Sequence, residues 1–152
     1  MKAVVTRVER AAVTLRDGAR AGERRETGPG LLVLLGVGVS DSEESARKLV
    51  TKVLDLRIFA NAEGKFDRSI LDEKGEILLV SQFTLFASLK GGRRPDFTAA
   101  ARPELAKPLY ERVAALFASS GRPVKTGEFG ASMSVESAND GPVTILVDTD
   151  LF

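Results

Sequence analysis

Short alternating segments open the chain. Ala3–Val8 and Ala11–Leu15 are rich in Val and Thr, which predicts two strands, and Asp17-Gly18 marks a turn after the second. Beyond the Gly28-Pro29-Gly30 break, Leu31–Val37 is a continuous apolar run bounded by glycine and too short for a helix. It predicts a strand buried on both faces. Ser40 and Asp41, with Glu43 and Glu44 three residues further on, form overlapping capping-box patterns, and Ala46, Leu49, Val50, Val53 and Leu54 then recur at helical spacing. A helix is expected over Ser42–Leu56. Arg57–Ala60 reads as a short strand and Asn61–Lys65 as a turn. Glu76–Phe86 is the strongest strand signal, because Ile77, Leu78, Leu79 and Val80 run straight into Ser81-Gln82-Phe83-Thr84.

Pro103 fits the first turn of a second helix, whose apolar stripe is Leu105, Leu109, Val113, Leu116 and Phe117 and whose end is Gly121. Three short strands follow at Val124–Thr126, Ser132–Ser137 and Val143–Val147, the last two separated by Asn139-Asp140-Gly141-Pro142. Many strands and few helices predict an α+β fold, a layered sandwich. A mostly antiparallel, barrel-like sheet is expected under two helices. The 152 residues make one domain, 1–152, because a prior of about 150 residues per domain leaves nothing over.

Composition narrows the chemistry. The chain has 43% hydrophobic and 28% charged residues, as a globular domain needs, but no His, Cys or Trp. A Ser-His-Asp triad, a Cys-His dyad and a zinc site with nitrogen or sulfur ligands are therefore excluded. Lys and Arg number 22 against 21 Asp and Glu, a net charge of +1, so no global field attracts a polyanion. Contact with nucleic acid must come from a local cluster, and Lys90-Gly91-Gly92-Arg93-Arg94 is the densest. No run approaches the ~20 apolar residues of a membrane helix, and because Arg7 and Glu9 come before any long apolar stretch, no signal peptide is expected. A cytoplasmic location is expected.

Three segments carry candidate chemistry. Gly36-Val37-Gly38-Val39-Ser40-Asp41 lies between a strand and a helix, as a dinucleotide fingerprint does, but the third glycine is replaced by an aspartate that would face the phosphates. Strand-to-helix punctuation is the better reading. Ser81-Gln82-Phe83-Thr84 ends the strongest strand, and period-2 alternation would put Ser81 and Phe83 on one face, Gln82 and Thr84 on the other. These residues are either a polar pocket wall, with Thr84 a nucleophile or donor, or a strand end meeting a loop. Asn139–Pro142 is an odd choice for a tight hairpin, since Pro142 lacks an N–H and restricts Gly141 before it.

At these last two segments the chain resembles the D-aminoacyl-tRNA deacylases, also called D-tyrosyl-tRNA deacylases. SQFTL at Ser81–Leu85 and NDGPVT at Asn139–Thr144 look like the two signature motifs of that family, in the same order. Matching segments run nearly end to end: VxRV at Val5–Val8, GPGLLVLLGV at Gly28–Val37, LRIF at Leu56–Phe59, GxRP at Gly92–Pro95, PLYERV at Pro108–Val113 and TGEFGA at Thr126–Ala131. Gly91, Asp96 and Ser134 depart from the family pattern.

The resemblance implies an enzyme that hydrolyses the ester joining a D-amino acid, or glycine, to the 3′ end of tRNA and spares L-aminoacyl esters. It implies a homodimer needing no cofactor and no metal. A cis Gly141-Pro142 pair of each subunit would enter the pocket of the other as a chirality gate, supported by Arg7, Asn139 and Met133. Ser81, Gln82, Phe83 and Thr84 would form the catalytic segment, with backbone N–H groups near Phe83 and Thr84 facing the developing oxyanion. Either Thr84 is a covalent nucleophile or the 2′-hydroxyl of the terminal ribose activates water; the second is favoured because no base accompanies Thr84. Lys90, Arg93 and Arg94 are expected on acceptor-stem phosphates. A non-catalytic RNA-binding module of the same fold is the alternative.

Overall fold

The computed structural model describes residues 1–152. Strand β1 (Lys2–Leu15) is continuous over 14 residues where two strands were expected. The polar pair that reads as an interruption, Glu9-Arg10, sits at a register shift against the last strand of the sheet, so the strand bends there instead of ending. One edge of β1 is divided between two partners. Val8 and the residues before it pair with β3 (Gly30–Gly36), while Ala11–Thr14 pair with β2 (Arg24–Thr27). The β2 sequence, Arg-Arg-Glu-Thr, has no apolar alternation and escapes a pattern search.

Helix α1 (Glu43–Leu54) follows β3 and covers the sheet. Its predicted cap is displaced: Ser42 is the N-cap and its N–H donates to Ser45 Oγ at 3.2 Å. Asp41 instead turns inward, accepting from Gly38 N–H at 2.7 Å and pairing with the Met1 amine. Two elements follow that the pattern did not announce, strand β5 (Phe66–Arg68), which pairs with β4 (Phe59–Ala60), and the single turn α2 (Ile70–Glu73). Both are too short for periodicity to register.

Strand β6 (Glu76–Ser81) ends five residues before the sequence pattern does. It runs parallel to β3, and the last bond of that pairing is Gln82 N–H to Leu35 O at 2.7 Å. The chain then coils into a 3-10 turn, Phe83–Phe86, so the expected alternation of faces through Thr84 does not occur. The turn folds back over the end of β3. A Cβ at Gly38 would lie 2.6 Å from the Phe86 ring. The glycines that resembled a nucleotide fingerprint thus make room for Phe86, and Asp41 closes the adjacent N–H.

Helix α3 (Pro103–Ser119) starts at the predicted proline. Its buried stripe is Ala106, Leu109, Tyr110, Val113 and Phe117; Leu105 points outward. Strand β7 (Val124–Thr126) pairs parallel with β6, adding a second parallel pairing to an otherwise antiparallel sheet. Strand β8 (Met133–Asp148) runs along the other edge of β1 for 16 residues. The sheet curls nearly closed, with Arg25 of β2 donating to Thr126 O of β7 at 2.6 Å. The main core lies between the sheet and helices α1 and α3, and includes Val5, Val33, Leu35, Leu49, Val53, Ile77, Leu79, Val113 and Phe117. A smaller cluster of Val8, Ala11, Val13, Leu32, Leu78 and Val80 fills the opposite face. Strand β3 is therefore buried on both faces, as its composition predicts. No helix is long and apolar enough to cross a membrane.

Two measurements test this packing. Gly38→Ala drives a methyl against Phe86 and is expected to cost about 1–3 kcal/mol of unfolding free energy, with Phe86→Leu recovering part of the loss. Tyr110 is the single tyrosine, and its hydroxyl donates to Leu79 O at 2.9 Å. Burial pushes its pKa from 10.0 up to about 12. Because the neutral form is favoured in the fold, the stability this contributes is full below pH 10.0 and lost as pH rises toward about 12. An ultraviolet difference titration, clean in a chain without Trp, should show phenolate appearing together with unfolding.

Candidate active site

The end of the β3–β6 pairing forms one wall of an apolar cleft of about 600 Å³. Ser81, Gln82 and Phe83 line it, as does Met133 at the start of β8. Opposite them the segment before α3 is tied to the end of β3: Val39 N–H donates to Ala99 O at 3.2 Å and Ala101 N–H to Val37 O at 2.9 Å. This brings Phe97, Ala100, Ala101 and Arg102 to the cleft. Phe83 is 55% exposed and packs edge-on against Phe97, with ring centroids 5.1 Å apart. Phe129, from the segment after β7, completes the aromatic lining.

Thr84 is exposed on the 3-10 turn and does not line the cleft. Its hydroxyl oxygen accepts from the Gln82 amide. An amide takes no proton, so the nearest partner of Thr84 leaves it an ordinary alcohol. The first hydrogen bond inside the turn is Leu85 N–H to Gln82 O at 3.3 Å, and the N–H groups of Phe83 and Thr84 precede it. Donors at the start of a helical turn lack intrahelical acceptors.

The second signature segment lies elsewhere. Within β8, Asn139 pairs with Val8 and Thr144 with Thr6, so Asp140–Val143 face the single β1 residue Arg7. Four residues opposite one must leave the sheet, and Gly141 and Pro142 project exposed from it. Gly141 has φ +113° and its bond to Pro142 is cis. Arg7 sits beneath this excursion. It is 9% exposed, its guanidinium donates to Ile58 O, and the Phe59 and Phe66 rings lie 5.9 and 5.7 Å from it. Its Nε is 2.8 Å from Asp140 Oδ2 but is not aligned for a hydrogen bond, so the two meet as opposite charges. A Cβ on Gly141 would come within 3.1 Å of Arg7 Nη2. Asn139, exposed, accepts from Ser137 Oγ at 2.7 Å.

Lys90, Arg93 and Arg94 occupy the exposed tip of a loop closed by paired hydrogen bonds between Ser88 and Asp96, at 2.8 and 2.9 Å. None of the three forms an ion pair. The structure thus groups the predicted residues in three places: Ser81, Gln82, Phe83 and Met133 at the cleft with Thr84 beside it, Arg7 with Asn139, Gly141 and Pro142 at the β8 excursion, and the cations on the loop. Phe97, Arg102 and Phe129 were not singled out by the sequence. Phe97 follows the basic loop and Arg102 immediately precedes the helix-starting Pro103, but nothing in the pattern says that these positions share a cavity.

A sequence model of the D-Tyr-tRNA(Tyr) deacylase family matches residues 4–148, which include both signature segments. The chain belongs to that family. It is 53% identical over 152 residues to the D-aminoacyl-tRNA deacylase of Roseiflexus sp. (strain RS-1), covering 100% of this chain and 96% of the relative. Among solved structures it is similar to the c-Myc DNA Unwinding Element Binding Protein, with TM-score 0.88 and 41% identity over 97% of this chain and 98% of the other. A probable eukaryotic D-amino acid tRNA deacylase shares the deacylase fold at TM-score 0.78 and 17% identity, covering 96% and 97% of the two chains.

Replacing Arg7 with Met should cost about 1–3 kcal/mol, because the buried Ile58 carbonyl loses its donor and Asp140 its counter-charge. Chemical denaturation reads this as a lower midpoint at unchanged slope. A variant as stable as the parent would show that the excursion stands without Arg7.

Proposed function

We propose that this chain is a D-aminoacyl-tRNA deacylase, a hydrolase that cleaves the ester between a D-amino acid or glycine and the 3′ end of tRNA. The reading is carried by the segment Ser81–Phe83, a family signature that forms one wall of an apolar, aromatic-lined cleft suited to a terminal nucleoside and its ester. Water adds to the ester carbonyl carbon, the bond to the ribose 3′-oxygen breaks, and that oxygen leaves with a proton as the free hydroxyl. The residues Ser81, Gln82, Phe83 and Thr84 orient the ester, and the N–H groups of Phe83 and Thr84 stabilise the oxyanion. The neighbouring 2′-hydroxyl of the substrate activates the water.

Chirality is set by Gly141 and Pro142, with Arg7, Asn139 and Met133 as supports. The excursion does not line the cleft of its own chain, and a gate acting between the two subunits of a homodimer, as the family resemblance implies, is the reading that fits this separation. An apolar row supports that assembly: Leu146, 80% exposed, pairs across the sheet with half-buried Val4, which in turn pairs with half-buried Leu34. Fixed backbone rejects an L side chain by collision, which discriminates more than the ~1–3 kcal/mol that a methylene contact supplies. Lys90, Arg93 and Arg94 hold acceptor-stem phosphates. A cytoplasmic location suits this substrate.

A second reading, a nucleic-acid-binding module without turnover, draws on the unpaired basic loop and on the name of the solved relative, a DNA-unwinding-element binding protein. Turnover separates the two. The purified chain should release D-Tyr and Gly from charged tRNA while leaving L-Tyr-tRNA intact; binding without release on either would favour the module. Thr84→Ala should lower kcat by about tenfold or less, at most about 1.4 kcal/mol of barrier, with no acyl-enzyme accumulating in the parent. A substrate with a terminal 2′-deoxyribose should be inert, and full activity on it would overturn the proposed mechanism.

A further inference from the structure

Arg102 is the only charged side chain among the residues that line the cleft; no carboxylate accompanies it. Its backbone is fixed from both sides. Ala101 N–H is bonded to Val37 O at 2.9 Å, and Arg102 O accepts from Leu105 N–H at 3.0 Å and Ala106 N–H at 2.9 Å as the first turn of α3 begins. The side chain, by contrast, is exposed and forms neither an ion pair nor a hydrogen bond. Salt bridges and hydrogen bonds engage many other arginines of this chain, among them Arg7, Arg20, Arg24, Arg25, Arg47, Arg57, Arg68 and Arg112. A guanidinium anchored at its base, unpaired at its tip and set on an otherwise uncharged, aromatic-lined cleft matches a ligand with an aromatic body and one anionic group.

Resting on the deacylase reading, we infer that Arg102 binds the phosphate on the 5′ side of the terminal nucleoside, the one that joins it to the rest of the tRNA. The base and ribose occupy the apolar cleft, and the phosphate leaves it at the rim where Arg102 stands. Lys90, Arg93 and Arg94 lie on a separate loop and serve phosphates further along the strand. Arg102 is a binding residue that sets how firmly the ester is presented to Ser81–Phe83, and it takes no part in proton transfer.

Two minimal substrates isolate this contact: adenosine carrying a 3′-D-tyrosyl ester, and the same ester of adenosine 5′-monophosphate. For the phosphorylated substrate, Arg102→Gln should raise KM about tenfold at nearly constant kcat, the size of one contact to a charged group at an exposed site. For the unphosphorylated substrate the rise should stay below about twofold, and Arg102→Lys should recover part of the loss on the first. Equal effects on the two substrates, or none on either, would overturn the assignment to the phosphate. A parent protein that hydrolyses neither minimal substrate nor D-Tyr-tRNA would instead remove the deacylase reading on which the inference rests.

Discussion

The parallel pairing of β3 with β6 stops at a single hydrogen bond, Gln82 N–H to Leu35 O at 2.7 Å, and the site depends on that stop. In open α/β arrangements ligands settle beyond the carboxyl ends of parallel strands, because the ladder ends there and backbone groups become free to face a ligand. Here the chain coils straight into a 3-10 turn, which keeps Phe83 at the cleft and sets Thr84 beside it. The turn fits only because Gly36 and Gly38 leave room beneath Leu85 and Phe86. The same hydrogen-bonding edge of β3, continued by Val37 and Val39, ties down residues 99–101 and so places Phe97 and Arg102. One strand end thus organises both walls of the cavity.

Much of this was legible from side-chain pattern. Strand β3, helices α1 and α3 and strand β7 lie where periodicity and punctuation put them, since each signal is a property of a local run. The failures share a cause. The 3-10 turn at Phe83–Phe86 was hidden because its residues are as apolar as a strand; what ends the strand is a partner 46 residues earlier in the chain running out at Gly36. Helix α1 was capped by Ser42 rather than Ser40 or Asp41 because Asp41 is taken by Gly38 and the Met1 amine, contacts that no local window contains.

The site was legible in a different degree. Ser81–Thr84 and Asn139–Pro142 stood out as polar groups at places where apolar strands should continue, and both are local anomalies. Phe97, Phe129 and Arg102 carried no such mark: each is unexceptional where it stands, and only tertiary contacts bring them to one cavity. Arg7 falls between these cases. An arginine inside a strand of valines is a visible oddity, but its partners, Ile58, Asp140 and the rings of Phe59 and Phe66, come from three other segments.

Under the proposed mechanism, a chain without histidine or cysteine is an enzyme because its substrate supplies the reactive groups. An aminoacyl ester is activated and carries a hydroxyl on the adjacent carbon, so orientation, a few fixed donors and exclusion of wrong substrates are what remain for the protein to provide. Those tasks suit backbone better than side chains, because main-chain groups held in a sheet or a turn lose little freedom when the substrate binds. The two signature segments are both departures of backbone from its ladder, one coiling inward at the end of β6 and one bulging outward opposite Arg7. The fold itself makes both departures: β6 stops early, and β8 carries three residues more than β1 can pair between Thr6 and Val8, so under the proposed mechanism main-chain groups take the part that catalytic side chains take elsewhere.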